Sequence, residues 1–209
     1  MLLTNGSDSA IVSYVTLRRV VGVLGMGLPL VVALWGFALR SPPSLQDSIS
    51  AYYDLRTRDA FVGILFTIAW FLFTYRGLER KDDIAGNIAC VFALGVALFP
   101  TNGTPFEHIV HLTAATGLFL VLAYFSLFLF TKSAPTPTPQ KLRRNHLYRT
   151  CGWIMLGCIV LIALFNLFGQ GTAIAAWQPV FWLESLALWA FGISWLVKGD
   201  TLWRDAPAA

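Results

Sequence analysis

Six long apolar segments, separated by short polar connections, constrain the fold of this chain more than any other feature. They cover residues 20–39, 60–75, 84–99, 109–130, 151–168 and 180–197. The first contains twenty consecutive uncharged residues, enough for a helix to cross a hydrocarbon core about 30 Å thick. Only 12% of the 209 residues are charged, against about 25% in soluble domains. The sequence therefore predicts an all-α, polytopic transmembrane bundle of six helices.

The positions of the basic residues predict the orientation of the bundle. Of the 15 lysines and arginines, twelve flank the termini and alternate connections on one side. The other three are Arg40, Arg56 and Arg58, all in the first loop on the opposite side. Because cytoplasmic loops carry the excess of basic residues, we expect both termini to be cytoplasmic. In this orientation residues 1–17 form a cytoplasmic segment with the pattern of an interfacial helix. Residues 18–198 form the transmembrane domain, and residues 199–209 form a cytoplasmic tail.

Charge and cysteine positions exclude two other classes of protein. The net charge of +4 is spread over several loops, so the chain lacks the clustered basic surface of a nucleic-acid-binding protein. Cys90, Cys151 and Cys158 lie inside apolar segments and lack the Cys-x-x-Cys spacing of a metal clip. We expect no nucleic-acid partner and interpret the three cysteines as core residues.

Two further patterns concern the connections and packing of the helices. Gly22, Gly25 and Gly27 predict a close approach of a neighbouring helix to the first one. The connection from 132 to 150 begins with alternating prolines, which predict an extended spacer. It ends in a basic cluster, which we interpret as an anchor on the inner leaflet.

The densest polar stretch is residues 47–63, between the first two apolar segments. It contains three carboxylates, two arginines, two serines and two tyrosines. Two interpretations remain open from these residues. The stretch is either one wall of a site at the membrane surface, or a solvated loop that caps two helices.

Other ionisable residues are predicted on the same outer side. His108 and His111 stand at the start of the fourth segment, and Glu184 stands one turn inside the sixth. Ionisable groups within a span are costly in hydrocarbon and usually face a partner or a wet cavity. We therefore predict one outer-leaflet pocket that binds a ligand through six residues: Asp54, Arg56, Arg58, Asp59, His111 and Glu184.

Three chemistries suit such a pocket. His108 and His111, three residues apart, would bind zinc together with a carboxylate. Alternatively, the arginines and carboxylates would form a network around a lipid headgroup. In the third case the ion pairs only hold the helix ends together. We expect no cofactor, with zinc as the alternative if the histidines bind metal.

Several short motifs resemble a known superfamily. They are Ile49-Ser50 near acidic residues, Gly86-Asn87 at the start of the third segment, and the run from His111 to Phe119. With the order of six spans, they resemble the FRAG/DRAM/Sfk superfamily and its bacterial members of unknown function. In this superfamily an aspartate typically follows the Ile-Ser pair directly. The chain departs from that pattern, because Ala51-Tyr52-Tyr53 separate Ile49-Ser50 from Asp54.

The resemblance implies a lipid-related role in a bacterial inner (plasma) membrane. We expect a multi-pass protein that recognises a lipid or another amphiphile, with membrane lipids as partners and a membrane protein or a second copy as further partners. One alternative is a metal-dependent lipid hydrolase similar to the seven-span ceramidases. The other is a structural subunit of a membrane complex.

Overall fold

The fold is a bundle of six α-helices. The computed structural model describes residues 4–39, 44–77 and 79–203, with side chains from residue 14 onward. The helices are α1 (Thr4–Leu39), α2 (Arg58–Thr74), α3 (Arg80–Leu98), α4 (Pro105–Tyr124), α5 (Pro139–Leu164) and α6 (Pro179–Lys198). A π-helical turn extends α4 to Leu129 and another extends α5 to Gly169. The described residues contain no strand, so the all-α prediction is confirmed.

The six helices pack as a closed ring. Each helix contacts the next one along the chain, and α1 contacts α6 to complete the circle. Short connections between sequential helices favour this arrangement of antiparallel neighbours. The first, third and fifth connections therefore meet at one end of the bundle, and the second and fourth meet at the other.

Side-chain caps determine where several helices begin. The Thr104 side chain accepts a hydrogen bond from the backbone N–H of Glu107, and the Glu107 side chain accepts one from the backbone N–H of Thr104. This capping box starts α4. Thr138 accepts from Lys141 N in the same way, and Pro139 occupies the first helical position. As a result α5 begins at Pro139, so the basic cluster lies within this helix and not in a connection that runs to residue 150, as predicted.

The outer surface of the bundle is apolar, as expected of a protein in a membrane. Among the described residues, four helical segments are long and apolar enough to cross a bilayer: Tyr14–Leu39, Pro105–Leu129, Pro139–Gly169 and Pro179–Lys198. Large apolar side chains such as Leu34, Val91 and Trp153 are exposed on it. Such surface is costly in water. The chain is therefore a membrane protein with at least these four apolar helices.

Glycines bring α1 and α6 into backbone contact. A Cβ atom at Gly22 would lie 2.8 Å from the carbonyl oxygen of Gly192, and one at Gly192 would lie 2.6 Å from the carbonyl oxygen of Gly22. A Cβ at Gly25 would meet the Phe191 ring, whereas one at Gly27 would meet nothing within 4 Å. The structure thus supports the predicted close approach at Gly22 and Gly25, and Gly27 takes no part in it.

Aromatic side chains fill the core at the end opposite the first loop. Tyr75, Phe125, Phe130 and Trp195 are buried, and their ring centroids lie 5.3–5.7 Å apart in tilted or edge-to-face pairs. The three cysteines are also buried and free, as predicted.

Candidate functional site

The described part of the first loop, residues 44–57, folds into the end of the ring instead of lying in solvent. Its 3-10 helix (Ser50–Asp54) buries Ser50 and Tyr52. Phe181 N donates to the carbonyl oxygen of Asp47 at 3.0 Å, which ties the loop to the start of α6. This burial excludes the interpretation of a solvated loop for the segment around Ser50.

Ser50 and His111 form a buried hydrogen bond at the centre of this end. Ser50 Oγ lies 2.9 Å from His111 Nε2, and His111 Nδ1 lies 2.6 Å from the carbonyl oxygen of Phe99. A carbonyl only accepts, so Nδ1 carries the proton of the neutral ring and Nε2 accepts from the serine hydroxyl. The histidine is thereby fixed in one tautomer and one orientation.

Glu184 holds the other side of the same loop. Its Oε2 accepts from the backbone N–H of Ile49 at 2.6 Å, across 135 residues of sequence. The carboxylate therefore lies beside Ser50, within the ring and one turn below the start of α6. A carboxylate at such a depth needs hydrogen-bond donors, and the loop backbone supplies one.

These groups line a cavity of about 340 Å³, called the polar cavity below. It opens among the first, third and fifth connections. Among residues 44–77 and 79–203, two carboxylates line it, Asp47 and Glu184, but no lysine or arginine. Its other polar lining side chains are Ser48, Ser50, Thr101, Asn102, His108, His111, Asn166, Gln170 and Gln178. Most of these groups accept or donate hydrogen bonds without carrying charge.

A smaller apolar cavity of about 40 Å³ adjoins the polar cavity, and the two share Ser50, Ala115 and Glu184 as lining residues. The remaining walls come from side chains on five of the helices: Leu28, Phe61, Leu65, Val96, Leu118, Phe119 and Leu188, with Ile49 from the loop. A polar chamber therefore continues into an apolar one at Ser50 and Glu184.

The structure places the predicted pocket residues in two groups. His111 and Glu184 line the polar cavity, whereas Asp54, Arg58 and Asp59 are absent from its lining, as is Arg56. Of the six residues of the predicted pocket, His111 and Glu184 are therefore the two that line this cavity. The 3-10 helix turns Ser50 inward, whereas the charged side chains that follow are exposed: Asp54, Arg56, Arg58 and Asp59.

The polar residues outside the cavity have local partners. Arg58 donates to the Tyr53 hydroxyl at 2.8 Å, and its guanidinium lies 4.5 Å from the centroid of that ring. Asn102 donates to Asp54 at 2.6 Å. Asp59 occupies the first turn of α2, where a negative charge suits the helix dipole. Arg58 thus contacts Tyr53, whereas Glu184 accepts from the backbone N–H of Ile49.

The Nδ1 atoms of both histidines are occupied by hydrogen bonds to backbone carbonyls, so they are not free to bind one metal ion. His108 Nδ1 lies 2.7 Å from the carbonyl oxygen of Thr101, and His111 Nδ1 bonds Phe99. Only Nε2 of each ring remains for a metal, and that of His111 is bonded to Ser50. The described residues contain no group of three or more potential metal ligands. Zinc stays a prediction without geometric support.

Sequence reasoning missed several cavity residues. Ser50 was noticed only as part of the polar stretch and of a family motif. Gln170 and Gln178 were not considered, although both line the cavity from the last connection. One pattern did point to Ser50: Ile49, Tyr52 and Tyr53 are too apolar for a solvated loop and predict an inward turn.

No protein-family profile matches the chain, and neither the curated proteins nor the solved structures include a significant match. The resemblance to the FRAG/DRAM/Sfk superfamily therefore stays a prediction. The candidate site is argued from its own geometry alone.

Proposed function

We propose that this protein recognises an amphiphile, with the headgroup in the polar cavity and the start of the tail toward the apolar cavity. The observation that carries the proposal is the junction at Ser50 and Glu184, which line both cavities. Small-molecule sites combine apolar walls with a few placed polar groups, as this pair of cavities does. A lipid likewise joins a polar headgroup to an apolar tail.

The lining favours a headgroup that donates hydrogen bonds and carries no negative charge. Asp47 and Glu184 supply carboxylates, and none of the described lysines or arginines lines the cavity to balance an anion. A phosphate or carboxylate there would meet like charge in a poorly solvated place. Hydroxyl or amine groups would instead find acceptors in Glu184 and in the side-chain amides.

The proposal includes six membrane spans, cytoplasmic termini and a bacterial inner membrane. Helix α2 has 17 residues, about 25 Å of rise, and α3 has 19 residues with four charges in its first turn. Both lie in the ring between the apolar helices α1 and α4, which supports their crossing the membrane as well. The basic residues support cytoplasmic termini.

Lipid retention tests the proposal. We expect the protein, purified in mild detergent, to keep one lipid class that mass spectrometry finds enriched over the membrane composition. Glu184→Gln removes the carboxylate at the junction of the two cavities and should lower that enrichment by about tenfold, equivalent to about 1.4 kcal/mol. Asp59→Asn is the matched control, because it neutralises an exposed carboxylate outside the cavity and should retain the lipid.

Two results would count against amphiphile recognition. One is a retained lipid mixture identical to the bulk membrane. The other is equal loss in both variants. Either result would favour the structural-subunit alternative.

Hydrolysis of an acyl bond is the second candidate function, favoured by the Ser50–His111 hydrogen bond. The Ser50 hydroxyl donates to Nε2 of His111, which is the direction of the hydrogen bond between a serine nucleophile and its general base. Ser50 Oγ would attack the acyl carbonyl while His111 takes the proton and passes it to the leaving alcohol. Water would then hydrolyse the acyl-enzyme and restore the serine.

A fluorophosphonate probe distinguishes this chemistry from binding alone. An active serine would be labelled at Ser50, and both Ser50→Ala and His111→Ala would abolish the labelling. Absence of labelling in the wild-type protein reconstituted in lipid nanodiscs would reject the hydrolase and leave recognition unaffected.

A further inference from the structure

The fifth connection, residues 170–178, has two different faces. Three of its residues line the polar cavity, two of them glutamines: Gln170, Gln178 and Ala175. Ile174 and Trp177 are absent from that lining and are exposed by 60% and 77%. Residues 150–183, which include the whole connection, contain no charged residue. The connection thus covers the cavity on one side and presents an uncharged apolar surface on the other.

This apolar surface continues the outer face of α5. The exposed residues near the end of that helix, including its π-helical turn, are large and apolar: Leu161, Leu164, Leu167 and Phe168. The extended helix, Pro139–Gly169, is one of the segments long and apolar enough to cross a bilayer. Tryptophan favours the headgroup depth of a membrane, and Trp177 follows this helix directly. An apolar surface that continues a membrane span without a charged break faces the lipid of the same leaflet.

The polar cavity also has a wall within the helical part of the ring. Four apolar residues of α4 and the extended α5 line it: Leu112, Ala115, Ile162 and Phe165. Helix α4 rises about 15 Å between Pro105 and Ala115, and the other helix rises about 10 Å between Ile162 and Gly169. The headgroup region of one leaflet is only about 5–8 Å thick. Between α4 and α5 the cavity therefore reaches the depth of the lipid tails.

The two sides of the cavity differ in how firmly they are held. On the side of the first loop, the Ile49 N–H is bonded to Glu184, and Ser50 is bonded to His111. In the described part of the chain, the hydrogen bonds of residues 170–178 stay within the connection or go to the adjoining ends of α5 and α6. None of these residues is buried. A segment with few buried contacts opens at low cost, so this side of the cavity separates from α4 most readily.

We propose that the amphiphile enters the polar cavity from the leaflet on the same side of the bilayer, through the gap between α4 and α5. Ile174 and Trp177 hold the fifth connection in that leaflet beside the gap. Leu112 is 45% exposed and also lines the cavity, so the tail meets apolar side chains along the whole route. The inference rests on the proposed function and narrows its ligand to a lipid that resides in the bilayer.

A nitroxide label tests where the fifth connection lies. It is attached to Ile174→Cys in phosphatidylcholine nanodiscs, with the wild-type protein as background because its three cysteines are buried. The label should collide often with oxygen, which concentrates in the bilayer, and rarely with a water-soluble nickel chelate. Arg56→Cys, at an exposed position in the first loop, is the control and should show the opposite preference.

Thiol labelling inside the cavity tests the route of entry. Ala115→Cys places a thiol where the polar and apolar cavities meet. One probe is a maleimide with a long alkyl chain, which dissolves in the bilayer, and the other is a trimethylammonium maleimide, which stays in water. Adding Ile162→Trp fills the gap and should slow labelling by the alkyl probe about tenfold, with little effect on the water-soluble probe. Val160→Trp, on the exposed face of the same helix, is the matched control and should change neither rate.

Two outcomes would overturn lateral entry. One is an equal rate of labelling by the alkyl probe with Ile162→Trp and with Val160→Trp. The other is a nitroxide at position 174 that meets the nickel chelate as often as the label at position 56 does, which is measurable even if Ile162→Trp fails to fold. Neither readout depends on a retained lipid. Lipid enrichment without lateral labelling would therefore reject only the route, and lateral labelling without enrichment would reject the proposed function.

Discussion

Ser50 Oγ and His111 Nε2 are 2.9 Å apart, although 61 positions separate the two residues in sequence. Their bond joins the first loop to α4 in a buried place, and the backbone of Phe99 completes it through Nδ1. The loop is thereby a structural part of the bundle. The same bond orients both groups toward the polar cavity that they line.

A double-mutant cycle measures this bond. Ser50→Ala and His111→Ala should each lower the free energy of unfolding in detergent, and the double variant should lose less than their sum. We expect a coupling energy of about 0.5–3 kcal/mol, the range for residues in direct contact. Fully additive effects would show that the two side chains do not interact.

The contact of α1 with α6 predicts opposite effects for two nearby glycines. Gly22→Ala places a Cβ against the Gly192 carbonyl and should destabilise the protein by about 1–3 kcal/mol. Gly27→Ala meets open space and should be neutral, or stabilise the helix by about 0.5–1 kcal/mol. Thermal unfolding of both variants checks the pair, and equal effects would reject the packing.

The contacts of Arg58 predict a modest role in stability. The side chain is exposed and lies over Tyr53, so Arg58→Ala should cost only about 0.5–1 kcal/mol. A buried ion pair with Glu184 would have made the loss about 3–5 kcal/mol. Arg56→Ala, at an exposed position in the same loop, is the control and should leave the melting temperature unchanged.

The proposed topology predicts which loops are accessible from outside the cell. An epitope inserted at Gly103 should react with antibody on intact spheroplasts, and one at Thr136 should react only after permeabilisation. The reverse pattern would overturn the orientation. Accessibility of both sites from the same side would overturn the crossing of α4.

The six helices of the described residues were predictable because each apolar segment is long enough to form a helix. The start of α5 was not, because prolines 135, 137 and 139 indicate an extended chain until Thr138 is recognised as a cap. The cavity was predicted only in part. His111 and Glu184 stand out as ionisable groups within spans, whereas Ser50 gains its role from a 3-10 helix that turns it inward.

The loop arginines show why charge alone misled the prediction of the pocket. Opposite charges on one side of the membrane were expected to pair. The structure instead satisfies Glu184 with the Ile49 N–H and Arg58 with Tyr53. Backbone donors and aromatic rings compete with ion pairs, and their positions depend on a loop conformation that periodicity does not reveal.

Photo-crosslinking from within the polar cavity tests amphiphile recognition most directly. Benzoylphenylalanine at Leu112, which lines the cavity, is compared with the same probe at Ile109, an exposed position on the same helix. The account predicts that Leu112 captures one lipid class far above its bulk abundance and that Glu184→Gln strongly lowers this enrichment, while Ile109 captures lipids in bulk proportion. Adducts of the same composition at both positions, unchanged by Glu184→Gln, would contradict it.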